Sequence, residues 1–182
     1  MNRCRWVNLK NPAYIEYHDT EWGREVGTAR ALYELFILET FQAGLSWECV
    51  LNKRSAFREA YDGFDPENVA AYDDQKLASL MNNAGIIRNR LKILASVSNT
   101  RVYLDIEKEF GSFKAYILSH LPECPICESY TLRTTSPVSD AISKDLKKRG
   151  MKFCGSTIVY SFLQAAGFIH AHGPECDLHR ET

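Results

Sequence analysis

The chain has 182 residues, 45% hydrophobic and 25% charged, with a formal net charge of −1. That is enough apolar mass to bury a core within one domain. The near-neutral balance argues against a nucleic-acid grip resting on bulk positive charge, while leaving room for a local basic patch. No apolar run reaches the roughly 20 residues of a membrane helix, and the first six residues lack the apolar h-region of a signal peptide. The six cysteines are therefore expected in a reducing cytoplasm, as thiols or metal ligands.

Helical periodicity dominates the chain. Thr28 is a fair cap for a helix from Ala29 that places Leu32, Leu35, Phe36 and Glu39 on one face. A short helix is expected over 46–53, with 55–61 as its continuation. Asp65-Pro66-Glu67 combines a cap, a first-turn proline and an acid at the positive helix end. Asp73 or Asp74 starts the next helix, with Leu77, Leu80 and Met81 inward. Asn82-Asn83-Ala84-Gly85 ends it. A long helix from Arg88 to about Glu109 carries Leu91, Leu94, Ala95 and Val102 inward. A helix over 111–119 stops at Pro122, and 122–138 reads as loop. Ser139 or Asp140 caps a helix closed by Gly150, and a last helix runs over 156–166. No strand pair or internal repeat is expected, so the fold class is all-α.

Three constellations carry chemistry. Metal-ligand residues gather at the two ends: Cys4 and His18 near the start, and His170, His172, Cys176 and His179 near the finish. A Cys₂His₂ set saturates tetrahedral zinc and makes a structural site that would hold otherwise fraying termini. A rival ligand set is Cys124-x-x-Cys127 with His120 four residues before it. Second, residues 80–90 read helix, tight turn, helix. There Gly85 offers a positive φ, and Arg88, Arg90 and Lys92 supply charge near a helix N-terminus that favours anions. A further basic cluster holds Lys144, Lys147, Lys148, Arg149 and Lys152. Solvated surface charge is the bland alternative. Third, Trp6, Tyr14, Tyr17, Trp22, Phe41 and Trp47 crowd the first fifty residues, and Glu39 sits on an apolar helix face beside them. Aromatic residues ordinarily just build core. A buried carboxylate, however, needs a partner, whether from the chain or from a ligand.

The motifs Cys4-x-Trp6, Tyr14-Ile15-x-Tyr17-His18-Asp19-x-Glu21-Trp22-Gly23, Leu38-Glu39-x-x-Gln42-Ala43-Gly44-Leu45-Ser46-Trp47, Gly85-Ile86-Ile87-Arg88-Asn89-Arg90 and Leu146-Lys147-Lys148-Arg149-Gly150-x-Lys152-Phe153 closely resemble the constitutive bacterial 3-methyladenine DNA glycosylase I family. So do Gln164-Ala165 and His172-x-x-x-Cys176. The resemblance spans Cys4 to Cys176, and only 122–130, with its CxxC pair, departs from the pattern. It implies a helix-hairpin-helix fold over a single domain, 1–182, with a helical lobe near 20–135 carrying the hairpin at 80–92. Segments 1–19 and 136–182 would be packed together at one structural zinc.

By the same resemblance the zinc ligands are Cys4, His18, His172 and Cys176. The catalytic residues are Glu39, which recognises the base, stabilises charge in the transition state and is the candidate general base, and Tyr17, which encloses the base with Trp47; Trp6, Tyr14 and Trp22 lie near the pocket, and Gly85, Arg88, Arg90 and Lys152 face the DNA backbone. The implied activity is monofunctional hydrolysis of the N-glycosidic bond of 3-methyladenine in double-stranded DNA, releasing the free base. A monomer is expected. Two other classes fit the residues alone: a zinc-stapled helical module that binds DNA without chemistry, and a zinc hydrolase of small molecules.

Overall fold

The computed structural model describes residues 1–127 and 133–179. Its first helix, α1 (Pro12–Thr20), is one that apolar spacing did not single out. Asn11 caps it by accepting from the amides of Ala13 and Tyr14, and Pro12 supplies the preset first φ. It turns Tyr14, Tyr17 and His18 inward, an i, i+3, i+4 set on one face.

α2 (Ala29–Gln42) begins where expected, with the Thr28 hydroxyl accepting from the Ala31 amide. It is not amphipathic: every residue from Leu32 to Phe41 is buried. A helix apolar on all sides belongs at the centre of a fold. α2 accordingly packs against α3 (Trp47–Leu51), α7 (Arg90–Phe110), α8 (Phe113–Leu118) and α10 (Ser156–Ala165). Phe36 meets Phe113 and Phe162 at ring distances of 5.0 and 5.3 Å. Glu34, at the edge of the core, is held by Arg54 at 2.6 Å and Arg58 at 2.9 Å. Both arginines lie on α4 (Arg54–Ala60), one turn apart; α4 is separate from α3 rather than its continuation, the break falling at Asn52–Lys53.

α5 (Pro66–Ala70) and α6 (Asp74–Asn82) start at Asp65 and Asp73, whose carboxylates cap them. α7 begins two residues later than expected, at the Asn89 cap. Its inward face also differs from the expected one. Leu91 is 67% exposed and Leu94 is exposed too, while Lys92, Ile93, Ser96, Val97, Asn99, Thr100, Tyr103 and Ile106 are buried. The polar members are satisfied: Thr100 bonds the Tyr33 hydroxyl at 2.5 Å and Ser96 the Tyr61 hydroxyl at 3.0 Å. Hydroxyls buried this way made the true face look polar and shifted the apparent stripe.

α9 (Pro137–Lys148) is capped by Ser136 in a reciprocal box with Ser139, three residues before the expected cap. α10 packs on both α9 and α2. A two-residue parallel pair, β1 (Ile126–Cys127) with β2 (Ile169–His170), is a small exception to the all-helical expectation. The loop reading over 122–138 falls partly on 128–132, outside the described residues. Among the described residues no helix is long and apolar enough to cross a membrane.

Two glycines have steric reasons. Gly167 sits at φ +76°, where a Cβ would lie 2.6 Å from the backbone carbon of Arg24. Gly23, at φ +74°, would press a Cβ to 2.9 Å from Nε2 of His172. The ends of the chain meet: the Asn2 amide donates to the Asp177 carboxylate at 2.9 Å, and the Asp177 amide to the Asn2 carbonyl at 3.0 Å.

Candidate active site and metal cluster

Two adjoining sites form where α1, α2 and the C-terminal segment converge. The first is a cavity of about 200 Å³ lined by Trp6, Tyr14, Tyr17, Trp22, Glu39, Gln42, Trp47, Ser161 and Gln164. All six residues expected at the base pocket are there. Tyr17 and Trp47 hold their rings 5.3 Å apart at 42°. Trp6 packs on Trp22 at 4.9 Å and Tyr14 at 5.3 Å.

The cavity is distinguished by its unmet polarity. Among the described residues, the buried side-chain atoms with no hydrogen-bond partner are Oε2 of Glu39, Oε1 of Gln42 and Nε1 of Trp47. All three belong to residues of this one cavity. Buried polar atoms are ordinarily paired, so three orphans around one space mark it as a place for a polar ligand. Glu39 is 2% exposed, and burial holds its carboxyl well above the usual carboxylate range. Burial and the nearby Glu39 likewise raise the Tyr17 phenol. Burial, with Glu48 and Glu39 adding to it, pushes Tyr14 up to about 12. A larger cavity, about 500 Å³, lies beside Arg24, Lys114 and Phe168. It holds none of the three orphaned atoms.

Gln42, Ser161 and Gln164 were given no role by sequence reading. Their signal was available as spacing: Gln42 is three residues from Glu39 on α2, and Ser161 and Gln164 are three apart on α10. Nothing in one sequence says that those two faces meet.

The second site is a buried cluster of Cys4, His18, His172 and Cys176, whose ligand atoms all lie within 4.8 Å of one another and could hold a metal ion. Nδ1 of His172 is 3.5 Å from Sγ of both Cys4 and Cys176, and Nε2 of His18 is 3.5 Å from Cys176 Sγ. Burial, followed by neighbouring His18 and His170, pushes His172 down to about 4, so it is neutral and free to ligate. Burial raises the Cys4 thiol to about 12, with Cys176 beside it as a further cause. His170 and His179 stand next to this set and outside it. The rival set around Cys124 and Cys127 forms no such cluster among the described residues, and both thiols are exposed. The two sites share a wall: the Trp22 ring lies 4.7 Å from His172, and the Trp6 ring 5.3 Å from His18.

The basic residues divide sharply. Most described arginines and lysines reach an acid or a carbonyl, but the side chains of Lys10, Arg88, Arg90, Lys144, Lys147, Lys148 and Lys152 have no such partner. The turn before α7 departs from expectation in two ways. Gly85 does not have positive φ; its small size is needed because a Cβ would lie 2.9 Å from Ala56 Cβ. Its amide is already taken by Oδ1 of Asn83 at 2.8 Å. Lys92, grouped with the surface charges, points inward. Lys152 is fastened to α7 by Asn99, which both accepts from its amide and donates to its carbonyl at 2.8 Å. Among helices of eight residues or more, α10 alone starts without a side-chain cap.

A helical scaffold with an aromatic, acid-bearing cavity beside a Cys₂His₂ cluster and several unpaired surface cations suits the class of helical DNA glycosylases. Comparison with known proteins narrows it. A family model described as methyladenine glycosylase matches residues 6–180. The chain is 44% identical to DNA-3-methyladenine glycosylase 1 of Escherichia coli over 180 residues, covering 97% of this chain and 96% of that protein. It is 40% identical to DNA-3-methyladenine glycosylase of Haemophilus influenzae over 178 residues, 96% of each. A crystal structure of a 3-methyladenine DNA glycosylase I superposes with a TM-score of 0.92 at 43% identity, covering 98% of this chain and all of that one. A Staphylococcus aureus 3-methyladenine DNA glycosylase I, solved to give the structural basis of 3-methyladenine recognition, superposes with a TM-score of 0.92 at 37% identity over 100% of this chain and 98% of that one. The chain belongs to the DNA-3-methyladenine glycosylase I family.

Proposed function

We propose that this enzyme hydrolyses the N-glycosidic bond of 3-methyladenine in double-stranded DNA, releasing the base and leaving an abasic site. One observation carries the reading: a carboxylate oxygen, an amide oxygen and an indole N–H, all buried and unpartnered, around a single ring-lined cavity. Two acceptors and a donor complement the edge of a purine. Methylation at N3 makes that purine a cation. The faces of Tyr17 and Trp47 favour a cation by about 0.5–2 kcal/mol, and Glu39 supplies charge-assisted hydrogen bonds.

The target nucleotide leaves the stack first, at a cost of a few kcal/mol. Two kcal/mol of cation–π preference is only about thirtyfold, so much of the selectivity comes from the lesion. A cationic base is already a good leaving group, and water completes the reaction at the sugar carbon. Glu39 acts in recognition and in stabilising the charge of the transition state. No lysine lines the cavity, which supports a monofunctional reaction without a lyase step.

Cys4, His18, His172 and Cys176 hold one zinc ion in this reading. With Zn–S about 2.3 Å and Zn–N about 2.0–2.1 Å, a tetrahedral N···S edge is roughly 3.5–3.6 Å, and three such edges here measure 3.5 Å. Four protein ligands leave no open position, so the metal serves structure. It ties the two ends of the chain together and backs the Trp6–Trp22 wall of the pocket.

Arg88, Arg90 and Lys152 contact the DNA backbone, with Gly85 packing the turn behind the two arginines. The helix-hairpin-helix reading extends to α9–turn–α10 as well as α6–turn–α7. The free N-terminal amides of α10 and the adjacent Lys152 suit a phosphate. The protein works as a monomer in the cytoplasm. The deciding experiment measures free 3-methyladenine released from methylated duplex by the wild type and by Glu39→Gln. Release by the wild type and its loss in the folded variant are expected. Duplex binding without release favours the non-enzymatic module.

A further inference from the structure

Lys92 is a buried cation that the reaction above does not use. It is 6% exposed, and among the described residues no carboxylate touches it. Its ammonium donates to the carbonyls of Phe41 at 2.8 Å and Ala43 at 2.5 Å. These flank Gln42, the last residue of α2, and Glu39 lies one turn earlier. The closing carbonyls of a helix have no partners within it, and the negative end of the helix dipole favours a cation. Burial pushes Lys92 below the ordinary lysine pKa, so the position carries a cost.

What a lysine adds over a bound water is a link. Lys92 belongs to the first turn of α7, where Asn89 accepts from its amide at 3.1 Å. Arg88 and Arg90, two of the unpaired cations, stand immediately before it. The aliphatic stem therefore spans from the basic turn to the end of the helix that carries both unpartnered oxygens of the cavity.

We propose that Lys92 is a positioning residue. Its two hydrogen bonds fasten the end of α2 to the start of α7, so that DNA held at Arg88 and Arg90 meets a pocket in which Glu39 and Gln42 are already aligned. This rests on the reading of the pocket as a base site. Glu39 sits where a purine would be gripped, and a small displacement of its helix end costs rate far more than it costs attachment of the duplex.

The test uses Lys92→Met, which keeps the stem and removes the donors, with Lys108→Met at an exposed position as control. kcat and KM for base release from methylated duplex are measured together with affinity for undamaged duplex and thermal stability. Lys92→Met should lower kcat at least about tenfold, with undamaged-duplex affinity within about threefold of wild type and the control unchanged. A variant that melts lower yet keeps wild-type kcat well below its melting temperature shows a merely structural lysine and overturns the proposal. Should Lys92→Met fail to fold, Lys92→Leu, which also lacks a donor, takes its place, and wild-type kcat in that variant overturns it equally. A wild-type protein that releases no base overturns the underlying reading along with this one. A wild type that releases base beside a Lys92→Met variant of equal kcat overturns this one alone.

Discussion

His18 places its Nδ1 2.8 Å from Oδ1 of Asp19, and this contact between sequence neighbours turns the other ring nitrogen toward the Cys176 thiol at 3.5 Å. Arg3 completes the arrangement by gripping Asp19 at 2.8 and 2.6 Å. The hydrogen bonds from Arg3, then His18, lower Asp19 to about 2. A ligand histidine whose second nitrogen is held by a carboxylate is fixed in tautomer and orientation. Asp19→Asn should therefore weaken metal affinity by about 10–100-fold, measured by competition with a chromogenic chelator. Unchanged affinity would show that the carboxylate does not serve the cluster.

Metal removal should act on both ends of the chain at once. Strong chelation, or Cys176→Ala, is expected to cost at least about 3 kcal/mol, a fraction of the roughly 10–16 kcal/mol that structural zinc supplies to small peptides. For a chain of this size that lowers Tm by roughly 6–12 °C. Amide hydrogen exchange should accelerate in 1–20 and 168–179 while α2 stays protected. Uniform acceleration throughout the fold would contradict a clip that holds the termini.

Glu39 should make the protein pay for its pocket in a pH-dependent way. A carboxyl raised by burial binds its proton more tightly when folded than when unfolded. Its stabilising contribution is whole below the unfolded value of about 4.3 and is lost as pH rises through the folded value. Glutamine has no such proton. Glu39→Gln should match the wild type in Tm near pH 4 and surpass it increasingly toward pH 8. A Tm difference independent of pH would mean that the side chain ionises freely in the fold. The same variant should lose base release, separating stability from activity.

Arg88→Ala and Lys152→Ala should each weaken binding to undamaged duplex and reduce the slope of log affinity against log salt by about 1. Neither side chain has an acid or carbonyl partner within the described residues, so their removal should leave thermal stability within about 0.5 kcal/mol. Wild-type salt slopes in both variants would move the DNA face elsewhere on the molecule.

Helix starts were legible because they are local chemistry. Thr28, Asp65 and Asp73 cap within three residues of their own position, so the signal and its effect share one stretch of chain. The members of the Cys₂His₂ cluster and the aromatic cavity residues were legible through family motifs rather than spacing. Facing was misread where burial depended on distant partners. Leu91 and Leu94 were expected inward and are exposed, while Ser96 and Thr100 are buried because hydroxyls from Tyr61 and Tyr33 meet them. Lys92 was misread for the same reason.

The sequence alone therefore determined most of the helical elements, the four members of the Cys₂His₂ cluster and the aromatic residues around Glu39, since caps and periodicity act over short separations and the family motifs name the rest. Only the tertiary structure decided that Gln42, Ser161 and Gln164 share the Glu39 cavity, that Lys92 closes the end of α2, and that Lys152 is fastened beside α7 through Asn99. Those are pairings across about 50 to 120 residues of chain, where free energy depends on which surfaces meet and no local pattern records the partner.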